Sequence, residues 1–219
     1  MILMNVNNKP LKESKLSGKM EKIPSLSTSP MNNPNCIKNR KVKGSICQKC
    51  YAVAGCKMYT NLDKMLLQNG EILKDKIDTS EIKVNTIYYR FESHGDLINT
   101  NHLDNLVNIA INNPYTRFAL WTKHYKITEK YFDTHDKPGN LQLQYSSLKI
   151  NHQLNINKFK HCDRIFTVYD KETAKTKDIN CGSRDCFSCG LCYNKNKVQY
   201  INEILKHLPF IIGLNLMVI

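Results

Sequence analysis

Nowhere in the 219 residues is there an apolar run approaching the roughly 20 residues that a membrane-spanning helix needs. The first residues also lack the ordered basic, apolar and small-residue regions of a secretory signal. We therefore expect a cytoplasmic protein with no membrane partner. In that compartment cysteines stay reduced, so disulfides are not expected.

Acidic residues are scarce. The chain has 19 Asp and Glu against 32 Lys and Arg, a net charge of +13. Residues 1–50 hold ten basic and two acidic residues, a surplus of +8. Such a field attracts polyanions, and nucleic acid is the expected partner of this kind. The alternative is a merely solvated surface, because Lys, Asn and Ile are over-used throughout the chain.

The length leaves little room for a second independent domain. Residues 1–35 contain four prolines among Ser, Asn and Lys, which predicts an extended basic arm. We expect an α/β core over 36–175. Residues 176–219 are expected to contain a cysteine cluster, an amphipathic helix over 198–208 and a terminal buried strand over 210–219.

Eight of the nine cysteines fall into two groups. The N-terminal group is Cys36, Cys47, Cys50 and Cys56, and the C-terminal group is Cys181, Cys186, Cys189 and Cys192. Two thiols at C-x2-C spacing can bind one metal or cluster from a single turn. The C-terminal run contains both the C-x4-C-x2-C and the C-x2-C-x2-C spacing of ferredoxins. We therefore predict two metal sites, with iron–sulfur clusters, [4Fe-4S] in type, as the leading expectation and zinc as the alternative.

Hydrophobic patterning predicts strands over 84–92, 116–121, 141–145 and 164–169. Helices are predicted over 57–77, with a potential break at Gly70, and over 103–111 and 127–135. Alternating strands and helices predict an α/β fold with a mainly parallel sheet. The sheet is expected to be open or to form a partial (β/α) barrel, with a cysteine-rich C-terminal metal-binding extension.

Polar residues collect where these predicted strands end. They are Arg90, Ser93, His94, Gly95, Asp96, Thr122, Lys123, Ser146 and Ser147. Ligands of α/β sheets and barrels bind at the carboxyl ends of the strands, so these residues are candidates for binding a cofactor or substrate. Each also has a purely structural explanation, such as a helix cap, a turn or a solvated charge. The substrate itself cannot be named from the sequence.

Several short motifs together resemble the phage gene product 88 domain family. They are Cys36 followed by Cys47-x2-Cys50-Tyr51-Ala52, Arg90-x4-Gly95-Asp96, Asn113-Pro114-x3-Phe118-x3-Thr122-Lys123, and Ser146 after a strand. They occur in the family's order and span most of residues 30–192. The resemblance implies a phage protein acting in the cytoplasm of a host cell.

The Cys50-Tyr51-Ala52 block is also similar to the cluster-binding end of radical S-adenosylmethionine enzymes. In those enzymes three cysteines hold a [4Fe-4S] cluster and leave one iron for the cosubstrate. The resemblance implies Cys36, Cys47 and Cys50 as ligands, and S-adenosylmethionine as cosubstrate. The usual C-x3-C-x2-C spacing is absent, so the third ligand comes either from a long loop at Cys36 or from Cys56.

Three functions compete on this basis. The leading hypothesis is a radical enzyme in which Asp96, Lys123 and Ser146 bind cosubstrate or substrate. The rival is a basic nucleic-acid-binding protein that two closed zinc sites stabilise without catalysis. A cysteine-nucleophile hydrolase would need an activated thiol near a histidine. Only Cys162, next to His161, suggests one, and neighbours in sequence on a strand or turn point apart.

Overall fold

The computed structural model describes residues 2–6, 9–182 and 185–205. Its strands are β1 (Ile2–Val6), β2 (Lys9–Lys12), β3 (Ser25–Leu26), β4 (Tyr88–Phe91), β5 (Arg117–Thr122), β6 (Leu141–Ser146), β7 (Arg164–Tyr169) and β8 (Tyr200–Ile204). Its helices are α1 (Pro34–Arg40), α2 (Tyr51–Met58), α3 (Thr60–Leu73), α4 (Thr100–Asn112), α5 (Tyr125–Phe132), α6 (Lys171–Ala174) and α7 (Cys186–Cys189), with short 3-10 turns at Gly18–Met20, Ile46–Lys49 and Ile156–Lys158. Among the helices in these ranges, none has the length and apolar character to span a bilayer.

Six strands form one sheet in the order β3-β4-β5-β6-β7-β8, and every neighbouring pair is parallel. The prediction of a mainly parallel α/β sheet is therefore confirmed. The sheet is open rather than closed into a barrel, because β3 and β8 form its two edges. The strands β1 and β2 make a separate antiparallel hairpin.

The strand order has a consequence for where the helices lie. Each crossover moves one strand further in the same direction, and right-handed crossovers of that kind place successive helices on one face of the sheet. The main core lies there. Tyr89 and Phe91 of β4, Phe118 and Leu120 of β5 and Leu143 of β6 pack with residues of α3, α4 and α5.

The opposite face of the sheet carries no crossover helix in the described residues and is covered by the C-terminal cysteine segment, which includes the short helix α7. Tyr88, Ala119 and Trp121 point to this side and form a second apolar cluster with Tyr193. The Gln144 side chain donates to the Cys192 carbonyl at 2.9 Å. The segment predicted to be an extension of the core is therefore packed against the centre of the sheet.

The prediction of a helix over 198–208 is wrong for the part that the structure describes, which ends at residue 205. Residues Tyr200–Ile204 form β8, paired in parallel with β7. A short apolar run cannot be assigned to helix or strand by periodicity alone, and here pairing at the sheet edge decides it. The strand predicted over 210–219 lies outside the described residues.

The predicted basic arm, residues 1–35, is partly regular structure. Its residues Ser25 and Leu26 form β3, the edge strand beside β4. The β1–β2 hairpin packs on α3, where the buried Asn69 side chain accepts from the Lys12 N–H at 3.0 Å and donates to the Lys12 and Ser27 carbonyls. The structure places Cys36 within α1 rather than in a loop.

Two glycines, the buried Gly70 and the partly buried Gly95, give opposite predictions for the same substitution. Gly70 does not break α3, and a Cβ there would meet nothing closer than 3.5 Å. Gly70→Ala should therefore raise the free energy of unfolding by about 0.5–1 kcal/mol, because alanine is the better helix former. A Cβ on Gly95 would lie 2.4 Å from Thr28 Oγ1 and 2.6 Å from the Thr28 carbonyl oxygen.

Gly95→Ala should lower the free energy of unfolding by about 2 kcal/mol or more, because the Thr28 backbone cannot move away cheaply. Urea denaturation of both variants beside the parent protein measures the two effects. Equal destabilisation by both substitutions would contradict the packing described at these positions.

Candidate active site

A cavity of about 600 Å³ lies at the carboxyl ends of the strands, between the sheet and the C-terminal cysteine segment. All nine strand-end residues named from the sequence line it, from Arg90 to Ser147. So do seven cysteines: Cys36, Cys47, Cys50, Cys181, Cys186, Cys189 and Cys192. The two cysteine groups, separated by more than a hundred residues in sequence, thus meet at one cavity.

The N-terminal cysteines are held by short capped turns. Asn33 caps α1 by accepting from the Cys36 N–H at 3.1 Å, and Ser45 accepts from the Cys47 N–H at 3.0 Å. Cys50 directly precedes α2. Burial raises the pKa of Cys36 far above its ordinary value, and the nearby carboxyl groups and the other two thiols raise it further.

Cys56 lies elsewhere. It sits in α2 with 3% of its surface exposed and does not line the cavity. Burial and the neighbouring Asp63 carboxylate raise the pKa of Cys56 to about 12. Asp63 also accepts from the Ser29 hydroxyl at 2.7 Å. The Cys56 thiol therefore belongs to a polar contact with Asp63 and Ser29 rather than to the cavity wall.

Two of the C-terminal cysteines, Cys186 and Cys189, are the first and last residues of the four-residue helix α7, and Cys181 and Cys192 lie on either side of it in the sequence. Gly190 ends this helix at φ 59°, and a side chain there would collide with Asn194 Nδ2 and Tyr88 Oη. Cys192 lies two residues after Gly190, and burial raises the pKa of Cys192 to about 12. Within the described ranges, no three His, Cys, Asp or Glu side chains converge closely enough to hold a single metal ion.

The Lys19 side chain, from the segment between β2 and β3, contacts the C-terminal cysteine group. Its ammonium donates to Cys181 Sγ at 3.2 Å and to Glu203 Oε1 at 2.5 Å. Burial lowers the pKa of Lys19, but the hydrogen bond and charge of Glu203, helped by Cys181, outweigh burial and raise the pKa overall. A lysine that stays charged favours the thiolate form of Cys181, which is the form that binds metal.

Asp96 is the most heavily bonded side chain of the strand ends. Its carboxylate accepts from the Thr122 hydroxyl, the Lys123 N–H, the Leu97 N–H and the Asn35 amide. A carboxylate has about four acceptor sites, so its capacity is used. Asp96 therefore ties α1, the loop after β4 and the end of β5 together.

Ser93 and His94 form part of a hydroxyl network at the end of β4. Ser93 Oγ lies 2.9 Å from Ser25 Oγ, 2.8 Å from Ser27 Oγ and 2.8 Å from His94 Nδ1. Burial, with the Arg90 charge, lowers the pKa of His94 to about 4. The imidazole that faces the cavity is therefore neutral at pH 7.

The side chains of Lys123, Ser146 and Ser147 make fewer hydrogen bonds than that of Asp96. Lys123 uses its backbone N–H on Asp96, and its ammonium makes no ion pair with any residue that the structure describes. Ser146 accepts a hydrogen bond from the Tyr125 hydroxyl through its carbonyl, which leaves its own hydroxyl at the cavity wall. Ser147 Oγ contacts Thr167 Oγ1 at 3.2 Å.

A sequence model described as Gene product 88 matches residues 1–200. The chain belongs to this phage family. No curated protein and no solved structure matches it. The matched stretch contains all seven cysteines and all nine strand-end residues that line the cavity.

Sequence reasoning missed several cavity residues of the family member. Trp121 and Tyr193 form the aromatic floor, with ring centroids 6.0 Å apart. Glu92 directly follows β4, is 3% exposed and has a positive φ of 54°. Only its position at a strand end could have indicated a role. Trp121 carried a signal as well, because it is the one tryptophan of the chain and ends a predicted strand.

Glu92 is buried beside a second buried ionisable group. Thr28 donates to its Oε2 through the side chain at 2.9 Å, while Oε1 lies 3.4 Å from His102 Nε2. His102 Nδ1 accepts from the Ile98 N–H, so Nε2 carries the proton. Burial raises the pKa of Glu92 to about 8 and lowers that of His102 to about 3. Both side chains are therefore mainly uncharged at pH 7.

This pair predicts a pH-dependent stability. In the unfolded chain Glu92 releases its proton near pH 4.5, but in the folded protein only near pH 8. Between these values the folded state binds more protons, so raising the pH favours unfolding, by about 1 kcal/mol per pH unit. The lowered pKa values of His94 and His102 act in the opposite direction below pH 6.5, so the Glu92 effect is measured above it. Between pH 6.5 and pH 8 the unfolding free energy should fall less steeply with pH in Glu92→Gln than in the parent protein.

The exposed Glu71 of α3 provides the matched control, and Glu71→Gln should leave the slope unchanged. Chemical denaturation at several pH values measures all three slopes. An identical slope in the parent protein and Glu92→Gln would show that Glu92 ionises normally in the folded state.

Proposed function

We propose that this protein is an iron–sulfur enzyme of the radical S-adenosylmethionine type, acting at the carboxyl ends of the core strands. One observation carries the proposal. Both cysteine groups line the same cavity as the polar strand-end residues, so the thiols that would bind metal and the groups that would bind substrate share one space. Two metal sites serving only to stabilise the fold have no need to share a cavity.

Cys36, Cys47 and Cys50 would hold a [4Fe-4S] cluster, and Cys181, Cys186, Cys189 and Cys192 would hold a second one. When bound, such clusters supply electrons, and a three-thiolate cluster also offers an iron open to a cosubstrate. The donor sets fit, because thiols are the preferred protein ligands of these clusters. The raised pKa of Cys36 means that metal binding would release protons from the N-terminal group.

The chain's own residues orient what enters the cavity. The caps on the Cys36 and Cys47 N–H groups fix the backbone at these two residues. The thiols themselves would have to move closer together to bind one cluster. Asp96 holds Thr122 and the Lys123 backbone in place, so the Lys123 ammonium can reach a carboxylate or phosphate. Trp121 and Tyr193 exclude water from the floor of the cavity, which strengthens charge interactions inside it.

The test is iron and acid-labile sulfide analysis of anaerobically purified protein, with two matched cysteine variants. The parent protein should be brown. Cys36→Ser should lose about half of the iron, because only the N-terminal cluster depends on it. Cys56→Ser should keep the full iron content, since Cys56 lies away from the cavity beside Asp63.

Loss of iron in Cys56→Ser with retention in Cys36→Ser would overturn the ligand assignment. Colourless protein with stoichiometric zinc, in the parent and after anaerobic reconstitution with iron and sulfide, would overturn the proposed function. That result would favour zinc sites that stabilise a basic protein, and binding to nucleic acid could then be examined through its salt dependence.

A further inference from the structure

Arg90 occupies the middle of the cavity wall. It projects from β4 to the face that carries the cysteines, and its guanidinium carbon lies 3.9 Å from the centre of the Trp121 ring. Stacking of this kind fixes a planar guanidinium and leaves its edge available for hydrogen bonds. Arg90 is thus held in one orientation by an aromatic platform rather than by an acidic partner.

The donors of this guanidinium are largely unused. Nη1 contacts Met20 Sδ at 2.9 Å, and a thioether is only a weak acceptor. Nε is shielded from solvent and has no partner, and Nη2 donates to no residue in the described part of the chain. Because Nε is shielded, a ligand would accept from the terminal Nη1 and Nη2 groups, and hydrogen bonds to a charged group contribute binding energy.

The charges around Arg90 select the sign of that ligand. Six cations line the cavity, namely Lys15, Lys19, Arg40, Lys49, Arg90 and Lys123. Only three acidic residues do, and each is already engaged. Asp96 accepts four hydrogen bonds, Glu203 pairs with Lys19, and Glu92 accepts from Thr28. The space between the two cysteine groups is therefore strongly cationic.

A fixed guanidinium edge matches a planar or tetrahedral oxyanion, because two parallel N–H groups can donate to two oxygens of a carboxylate or a phosphate. Lys123 directly follows β5, the strand paired with β4, and it lines the same cavity as Arg90, so its ammonium is a second donor for the same group. A neutral ligand would leave the Arg90 charge unpaired. A cationic ligand would in addition be repelled by the positive charge of Arg90.

We infer that the substrate of this cavity carries a carboxylate or phosphate group, which Arg90 binds through its guanidinium edge with help from Lys123. The inference deepens the proposed function by naming the substrate class of its site. It makes Arg90 a determinant of specificity. Anion binding at Arg90 does not require iron, so the two proposals can fail separately.

The test uses the fluorescence of Trp121, which is the only tryptophan of the chain and contacts Arg90. The purified full-length protein is titrated with sodium phosphate and, separately, with sodium acetate, while sodium chloride keeps the ionic strength constant. We expect a saturable change with one or both anions. The stronger of the two responses identifies whether phosphate or carboxylate is preferred.

Three variants separate the guanidinium edge from general charge. Arg90→Gln should weaken binding by at least about tenfold, the loss of a hydrogen bond to a charged group. Arg90→Lys keeps the charge without the paired donors and should give an intermediate affinity. Arg117→Gln is the control, because Arg117 lies on the adjacent β5 but points to Asn194 and does not line the cavity.

Circular dichroism shows whether each variant is folded, and isothermal titration calorimetry repeats the measurement independently of Trp121. Equal affinity in the parent protein and Arg90→Gln, or no saturable response to either anion, would overturn the inference. In that case the cavity cations serve only the cysteine thiolates. A colourless zinc protein that binds anions through Arg90 would refute the proposed function and leave this inference standing.

Discussion

The four hydrogen bonds to the Asp96 carboxylate are the constraint on which the site depends. They join the loop after β4, the end of β5 and the beginning of α1. Asn33 adds a hydrogen bond to the Asp96 carbonyl at 2.6 Å while it also caps the Cys36 turn. Because Cys36 and Lys123 are both tied to this one residue, the first cysteine group and the strand-end cation face the same cavity.

The sheet topology supplies the second cysteine group. Sequential parallel strands leave one face without helices, and that face must be covered to bury Tyr88, Ala119 and Trp121. The segment from Cys186 to Tyr193 covers it, and Gly190 allows the close approach to Tyr88. The apolar contacts that complete the fold therefore also bring three of the four C-terminal thiols, Cys186, Cys189 and Cys192, to the cavity. Stability and the arrangement of the site rest on the same packing.

The sequence was sufficient to predict that β4 to β7 and α3 to α5 exist, because these elements are strongly patterned. The boundaries were less accurate: the helix predicted over 57–77 is α3 from Thr60 to Leu73, preceded by α2. The sequence also pointed to the strand ends, since parallel strands must bring their carboxyl ends together. β8 was mistaken for a helix because its pairing with β7 is a contact between distant parts of the chain. The position of Asp96 after a strand predicts a binding residue, which stays a prediction, but its hydrogen-bond partners in α1 and β5 could not be seen locally. The stacking of Arg90 on Trp121 likewise arises only when β4 and β5 pair.

The central claim is that the two cysteine groups face one cavity and act together there. The most direct measurement is electron paramagnetic resonance of the dithionite-reduced, anaerobically purified protein, compared with variants that lack one group each, such as Cys36→Ser and Cys189→Ser. Two reduced clusters at one cavity should interact magnetically, so the spectrum of the parent protein should differ from the sum of the two single-cluster spectra. A parent spectrum equal to that sum would contradict the account.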